Sequence, residues 1–367
     1  MSENRYLRHN LIDWFSQERL ARTRAVVIGA GAVGNEVLKN LALLGVGEVR
    51  VYDFDRIEEH NLTRSVLFRD ADIGKQKAEV AADRARELDP NMSAEAVVGD
   101  FWDHLTLSDL KSFDVLFCCV DNFEARIRSN MLCQIARVDF INVGIDSRFA
   151  LVEQYPFTRN HTGGCFECGL PPSVYRRISE RYSCGHLRKL SYIERKVPTT
   201  IITSSTASSL AVSVGLRLGT GDEVPSARRF YVDTIAGNLT RTELGRVGGC
   251  PCCDRYAGEL SIIGCRPIIG DWPISGDDVT VFTSDPILVS YRIGEISMPV
   301  FERASAFSSD YPTTLSPDPG AVDLEIRDQF SATELADRFA NYTIPSKFAL
   351  VSNGAKSTIF EFLREPQ

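Results

Sequence analysis

The chain has 367 residues, enough for one large and one small domain, and its 44% hydrophobic and 25% charged residues exclude an intrinsically disordered or fibrous protein. The 41 Lys and Arg stand against 49 Asp and Glu, a formal charge of -8, so the chain lacks the positive field that sequence-independent nucleic-acid binding requires. No apolar run approaches the roughly eighteen residues of a bilayer span, and the N-terminus MSENRYLRHNLIDW has no apolar signal core, which together predict a cytoplasmic protein with neither a membrane nor a nucleic-acid partner.

Arg24 to Gly29 (RAVVIG) is a β-branched run ending in glycine, and Ala32 to Leu44 follows with helical periodicity, so the pair predicts a strand, a tight turn and a helix. Glu48 to Asp53 is the next strand. Lys75 to Leu88 is an Ala-rich helix stopped by Asp89-Pro90, and Phe113 to Val120 (FDVLFCCV) is the continuous apolar run of a buried parallel strand. A helix over Glu124 to Arg137 and a strand over Phe140 to Gly144 extend this alternation, which predicts a Rossmann-like, doubly wound, mostly parallel α/β sheet. Beyond residue 145 come a strand over Phe149 to Tyr155, a long loop from Asn160 to Val197, a helix of small residues over Thr199 to Leu218, and a hairpin of Arg228 to Asp233 with Leu239 to Leu244. From about residue 262 the texture turns to Pro, Gly and Asp clusters. Strand-like runs at Val279 to Phe282 and Ile287 to Tyr291 and a helix-like run at Ala332 to Phe339 predict a small α+β domain there. The division expected is thus 1–261, with a crossover loop at about 170–198, and 262–367.

Gly29-Ala30-Gly31-Ala32-Val33-Gly34 is a GxGxxG between a strand and a helix, with Asp53 at the end of the second strand. In that setting backbone N–H groups can approach phosphates at a helix N-terminus and the Asp can hold ribose hydroxyls. The following run, Asp53-Phe54-Asp55 through Asn61-Leu62-Thr63-Arg64 to Ile73-Gly74-Lys75-Gln76-Lys77, does not resemble a dehydrogenase. Arg64 and Lys77 put two cations beside the glycine turn, which suits a triphosphate better than a nicotinamide because charge must be neutralised as pyrophosphate leaves. Asp121, in Val120-Asp121-Asn122 after the FDVLFCCV strand, supplies a carboxylate where a magnesium ion bridging phosphates would sit.

Cys165-Phe166-Glu167-Cys168 and Cys250-Pro251-Cys252-Cys253 form a CxxC pair of pairs, the spacing of a structural zinc site with Cys165, Cys168, Cys250 and Cys253 as ligands. Cys252 is an extra thiol that could exchange with a ligand. Cys118, Cys119 and Cys133 read as core thiols. His9, His60, His104, His161 and His186 form no cluster in the sequence that suggests a catalytic dyad.

Taken in order, RYLRH at 5–9, GAGAVG at 29–34, GVGEVRVYDFD at 45–55, NLTR at 61–64, IGKQK at 73–77, VDN at 120–122 and the two CxxC knuckles resemble the ThiF/MoeB/HesA superfamily of adenylyltransferases, relatives of ubiquitin-activating enzymes. The resemblance runs from Arg5 to about Tyr256. It implies ATP, Mg2+ and Zn2+ as cofactors and a nucleotide site formed by Gly29, Gly31, Gly34, Asp53, Asp55, Asn61, Arg64, Lys77, Asp121 and Asn122. Arg8 would reach the neighbouring subunit's site in a homodimer. The implied reaction is attack of a carboxylate on the α-phosphorus of ATP, giving an acyl-adenylate and pyrophosphate without a general base. Relatives that form a thioester carry the cysteine in the crossover region, where this chain has Cys184 near Arg181, His186, Arg188 and Lys189. Ser65 stands where the thiamine and molybdopterin enzymes usually have Gln, and NLTRSVLFRDADIGKQKAEV with GGCFEC is similar to the peptide-modifying microcin C and pantocin-type branch. The implied partner is therefore a small ubiquitin-like or sulfur-carrier protein, or a ribosomally made precursor peptide. Residues 262–367, with Cys265 at their start as the only cysteine, would dock that partner rather than transfer sulfur. Two readings from other classes, a Rossmann oxidoreductase and a non-catalytic docking subunit, are opposed by the presence of Arg8, Arg64, Lys77 and Asp121.

Overall fold

The computed structural model describes residues 5–158, 163–175, 198–217, 224, 226–256, 258, 260–268, 278–293, 295–305, 322–353 and 356–363. The chain divides into two compact units, Met1–Leu170 with Val197–Ala257, and Pro171–Lys196 with Gly258–Gln367.

In the first unit, β1 (Arg24–Ile28), β2 (Glu48–Tyr52), β3 (Ser93–Val97), β4 (Val115–Cys118), β5 (Asp139–Ile145), β6 (Phe149–Tyr155), β7 (Ala227–Asp233) and β8 (Asn238–Leu244) form one sheet in the order β3-β2-β1-β4-β5-β6-β7-β8. Pairing is parallel from β3 to β5 and antiparallel from β5 to β8. The helices in order are α1 (Gln17–Arg22), α2 (Ala32–Leu44), α3 (Lys77–Leu88), the single turns α4 (Phe101–His104) and α5 (Leu107–Leu110), and α6 (Phe123–Ala136). A longer helix, Ile201–Gly215, follows. This is the expected doubly wound α/β sheet. The order reverses beside β1, whose two neighbours β2 and β4 are reached by connections running in opposite directions, and such a switch point opens a crevice at the carboxyl ends of the strands.

The hydrophobic pattern explains the layers. The α2 positions Val33, Val37, Leu38, Leu41 and Ala42 are fully or almost fully buried against the sheet, at helical spacing. Gly45 ends α2 in the left-handed region at φ 76°. The small residues of Ile201–Gly215 serve close approach: a Cβ at Gly215 would lie 2.7 Å from the Phe117 ring of β4, and Ser208 Oγ donates to the Val33 carbonyl at 3.0 Å. β3 was not among the strands predicted, because SAEAV carries one β-branched residue; it forms through its register with β2, from Glu48 opposite Ser93 to Tyr52 opposite Val97. The FDVLFCCV strand is shorter than its apolar run and ends at Cys118.

The second unit has its own sheet, β11 (Ile296–Arg303), β10 (Thr280–Ile293), β13 (Phe348–Ser352), β14 (Ser357–Phe362) and β9 (Ser261–Cys265) in that order, with β12 (Val322–Ser331) also paired to β10. The helix Ala332–Phe339 spans the predicted residues and is capped by Ser331, whose Oγ accepts from Glu334 N at 3.0 Å. Leu335 and Phe339 pack with Val281, Phe301, Phe330 and Ile344 into a separate core. The two strands expected at 279–282 and 287–291 are one strand with a register shift between Phe282 and Ile287, where buried Asp285 accepts from Lys347 N at 3.0 Å. Among the described residues no helix is long and apolar enough to cross a membrane.

Candidate functional site

The glycine turn lies between β1 and α2, at the switch point. Gly29 has φ 91°, a conformation that penalises any side chain, and a Cβ there would meet the Cys119 carbonyl oxygen at 3.0 Å, so the turn lies directly beside the end of β4. At Gly34 a Cβ would fall 1.9 Å from the Gly29 carbonyl oxygen. Gly31 is different. It is the N-cap of α2, offers no capping side chain, and a Cβ there would meet nothing within 4 Å, so the first turn of the helix opens onto free space.

From this turn a line of contacts runs to the predicted acid and lysine. Asp53, just past β2, accepts from Ala30 N through Oδ2 at 2.7 Å and from Asp55 N through Oδ1 at 2.8 Å. Burial pushes its carboxyl above the usual carboxylate range, and the two backbone N–H groups and the Lys77 charge work against that rise. Asp55 Oδ2 accepts from Lys77 Nζ at 2.8 Å, and Lys77 N donates to the Asp55 carbonyl at 3.0 Å, so the lysine is fixed at the first position of α3.

Arg64 is half-buried and donates through Nη1 to the His60 carbonyl at 2.7 Å. Asn61 is buried, its Oδ1 accepting from Glu58 N at 2.9 Å, and Asn122 caps α6 by accepting from Ala125 N at 2.8 Å. The side-chain oxygens of these two asparagines are thus engaged in shaping the loops around the crevice. Asp121 is exposed, one residue before that cap. Arg8 is exposed in the N-terminal segment, where it precedes the short turn His9–Leu11. Cys184, together with Arg181, His186, Arg188 and Lys189, lies outside the described residues.

The two cysteine pairs come together. The sulfur atoms of Cys165, Cys168, Cys250 and Cys253 all lie within 4.8 Å of one another, with Cys165–Cys250 and Cys168–Cys253 each at 3.6 Å. Zinc bonded to four sulfurs at about 2.3 Å sets them roughly 3.8 Å apart, so the set fits a tetrahedral ion. Cys252 stands outside the cluster: its S–H donates to Gln134 Oε1 at 3.0 Å and its sulfur accepts from Asn130 Nδ2 at 3.2 Å. The sequence reading missed these supports. Asn130 Oδ1 also accepts from Phe166 N at 3.0 Å, and Gln134 Nε2 reaches Cys253 Sγ at 3.9 Å, so α6 holds both knuckles. The available signal was the i, i+4 spacing of Arg126, Asn130 and Gln134, polar residues in line on one side of α6.

A switch-point glycine turn wired to an acid and a lysine, on a sheet whose far loops are stapled by four cysteines, defines a Rossmann-like nucleotide-binding enzyme. Comparison with known proteins gives the family: the ThiF family model matches residues 4–251, and the chain belongs to that family as an adenylyltransferase of the ThiF/MoeB type. The sulfur carrier protein adenylyltransferase of Thermus thermophilus is 35% identical over 261 residues, covering 69% of this chain and 90% of that protein. Among solved structures, E. coli MccB with ATP is similar at 25% identity and a TM-score of 0.54, covering 68% of this chain and 74% of that one. The microcin C7 biosynthetic enzyme MccB in complex with N-formylated MccA has the same identity and TM-score over 68% of this chain and 75% of that one.

Proposed function

We propose that this protein uses ATP to adenylate a carboxylate at the C-terminus of a small ubiquitin-like or sulfur-carrier protein, releasing pyrophosphate. The observation that carries this reading is the line from Ala30 through Asp53 and Asp55 to Lys77 at the switch point. In this reading the N–H groups of the glycine turn hold phosphate oxygens, Asp53 holds the ribose, and Lys77 with Arg64 offsets the charge that builds on the departing pyrophosphate. The exposed carboxylate of Asp121 is an oxygen ligand of the kind magnesium takes, and the ion when bound would neutralise phosphate charge there. Arg8 completes the site of the opposite subunit in a homodimer, the four cysteines hold structural zinc, and Cys184 accepts the acyl group where a thioester follows. The similarity to the Thermus sulfur carrier protein adenylyltransferase supports a carrier protein as substrate. Residues 262–367, with their own sheet and core, dock it.

A second reading, activation of a precursor peptide, is supported by the likeness to MccB in complex with N-formylated MccA. Both readings are tested by isotope exchange of pyrophosphate into ATP with magnesium, using a Gly-Gly-ending carrier and short peptides as carboxylate donors. Exchange that needs the carrier supports the first reading and exchange that needs a peptide the second. No exchange with either overturns adenylation.

A further inference from the structure

The contacts of Arg126, in the first turns of α6, are not explained by nucleotide binding. Its Nη1 donates to Asn142 Oδ1 at 2.5 Å and to the Val143 carbonyl at 2.8 Å, and its Nη2 to the Val120 carbonyl at 2.5 Å. All three acceptors are neutral. A guanidinium has five N–H donors, so Arg126, half-buried at the carboxyl ends of β4 and β5, keeps donors to spare and a charge that no carboxylate among the described residues meets.

Its orientation is imposed from behind. Asn142, on β5 and 1% exposed, donates through Nδ2 to Glu153 Oε2 at 2.7 Å. An ionised carboxylate only accepts and a guanidinium only donates, so the amide is locked with its oxygen towards Arg126. Glu153, equally buried on β6, is paired in turn with Arg229 of β7, Nε to Oε1 at 2.8 Å. The group therefore holds two cations and one anion. Arg229 meets water with 41% of its side chain exposed and is answered by Glu153, so the uncompensated charge is that of half-buried Arg126. It lies against Val120, the residue before Asp121, where partial withdrawal from water strengthens its attraction for an anion.

We propose that Arg126 binds the substrate carboxylate as it approaches the nucleotide, with Asn142, Glu153 and Arg229 as positioning residues. The inference rests on the adenylation reading above and assigns the subsite of its second reactant. The reaction brings an anionic nucleophile against an anionic triphosphate, and a preorganised guanidinium offsets that repulsion without reorganising. One carboxylate oxygen forms a bond to the α-phosphorus, the bond from the α-phosphorus to its bridging oxygen breaks, and pyrophosphate leaves with the electron pair. No proton is transferred. The carboxylate's second oxygen is the one that Arg126 would keep through the step.

The test uses the full-length, zinc-loaded protein with α,β-methylene ATP bound. The probe is a β-grasp carrier ending in Gly-Gly, prepared as the free acid and as the C-terminal amide and titrated by calorimetry. Wild type is expected to bind the acid at least about tenfold more tightly than the amide, the scale of a charge-assisted hydrogen bond. Arg126→Gln should abolish that preference while affinity for α,β-methylene ATP alone stays within about threefold, a selective loss that general destabilisation does not produce. Arg126→Lys keeps the charge without the fixed donors and should keep part of the preference; it carries the test if the glutamine variant does not fold. An acid preference undiminished in these variants overturns the subsite and leaves adenylation standing, as does a wild type that exchanges pyrophosphate but binds acid and amide alike. A wild type that neither binds the carrier nor exchanges pyrophosphate overturns the underlying reading, and the subsite with it.

Discussion

Lys77 Nζ stands 2.8 Å from Asp55 Oδ2, and the two residues also share a backbone hydrogen bond, so the lysine is held in place before any phosphate arrives. Its side chain is 11% exposed against 55% for Asp55, which puts the pair at the edge of the crevice with one side open to water. An ion pair so exposed contributes about 0–1 kcal/mol to stability. The Lys77→Ala protein should therefore melt close to wild type while its pyrophosphate exchange falls by about a hundredfold or more, the scale of losing one electrostatic stabiliser. Exchange at the wild-type rate would remove Lys77 from the phosphate site.

Two glycines of the turn, Gly31 and Gly34, should separate by substitution. A methyl group at Gly34 collides with backbone, the Gly29 carbonyl, whereas one at Gly31 enters open space at an ordinary φ of -76°. Gly34→Ala is expected to cost about 1–3 kcal/mol or more in chemical denaturation. Gly31→Ala should fold with wild-type stability and lose nucleotide affinity, because the space it fills is where a phosphate would approach. Equal stability losses in the two variants would contradict this geometry.

Much of this site was legible beforehand because its determinants are local. The glycine turn, Asp53 and the cysteine pairs are short-range patterns, and each needs a particular backbone or ligand spacing. Arg126 carried no such mark, since its meaning depends on Asn142, sixteen residues on, and on Glu153 and Arg229 in strands that meet only in the folded sheet. Cys252 was ambiguous for a related reason: within Cys-Pro-Cys-Cys the spacing does not tell which thiol turns to the metal and which to α6, and only the contacts with Asn130 and Gln134 decide it. β3 was invisible because its strand state comes from pairing with β2 rather than from its own residues.

Asp53 supplies a pH signature. Its carboxyl is raised by burial in the folded chain, so in the range just above the ordinary aspartate pKa the folded state holds more protons than the unfolded one. Its stability contribution is then fullest at acid pH and is lost as pH rises through the folded-state value. Asp53→Asn has no such titration. Measured across that range, the stability of wild type relative to Asp53→Asn should decline with rising pH, and a relative gain would reverse the sign inferred for this group.

Elemental analysis should find about one zinc per chain, as a closed four-cysteine site holds a single ion. Cys165→Ser and Cys250→Ser should each lose that zinc and the stability bound to it. Cys252→Ser should keep both, because its hydroxyl can take over the hydrogen bonds to Asn130 and Gln134 without touching the metal. Loss of zinc from Cys252→Ser would make that thiol a ligand.

The proposed homodimer makes a prediction that no single-chain property can mimic. Arg8 is exposed, and Leu7, Leu11 and Trp14 of the same N-terminal segment are exposed as well, apolar side chains that a partner subunit would cover. If Arg8 serves the site opposite, Arg8→Ala and Lys77→Ala proteins are each inactive alone for different reasons. In a mixed dimer, the site holding an intact Lys77 belongs to the Arg8→Ala subunit and receives Arg8 from the other. The second site lacks both residues. Free exchange at equal concentrations makes half the dimers mixed, each with one of two sites intact, so about a quarter of wild-type activity should return. The recovery should grow with the time allowed for subunit exchange and should vanish when either variant is first crosslinked as its own dimer. Subunits shown to exchange without any recovery would place Arg8 in its own chain's site or in none.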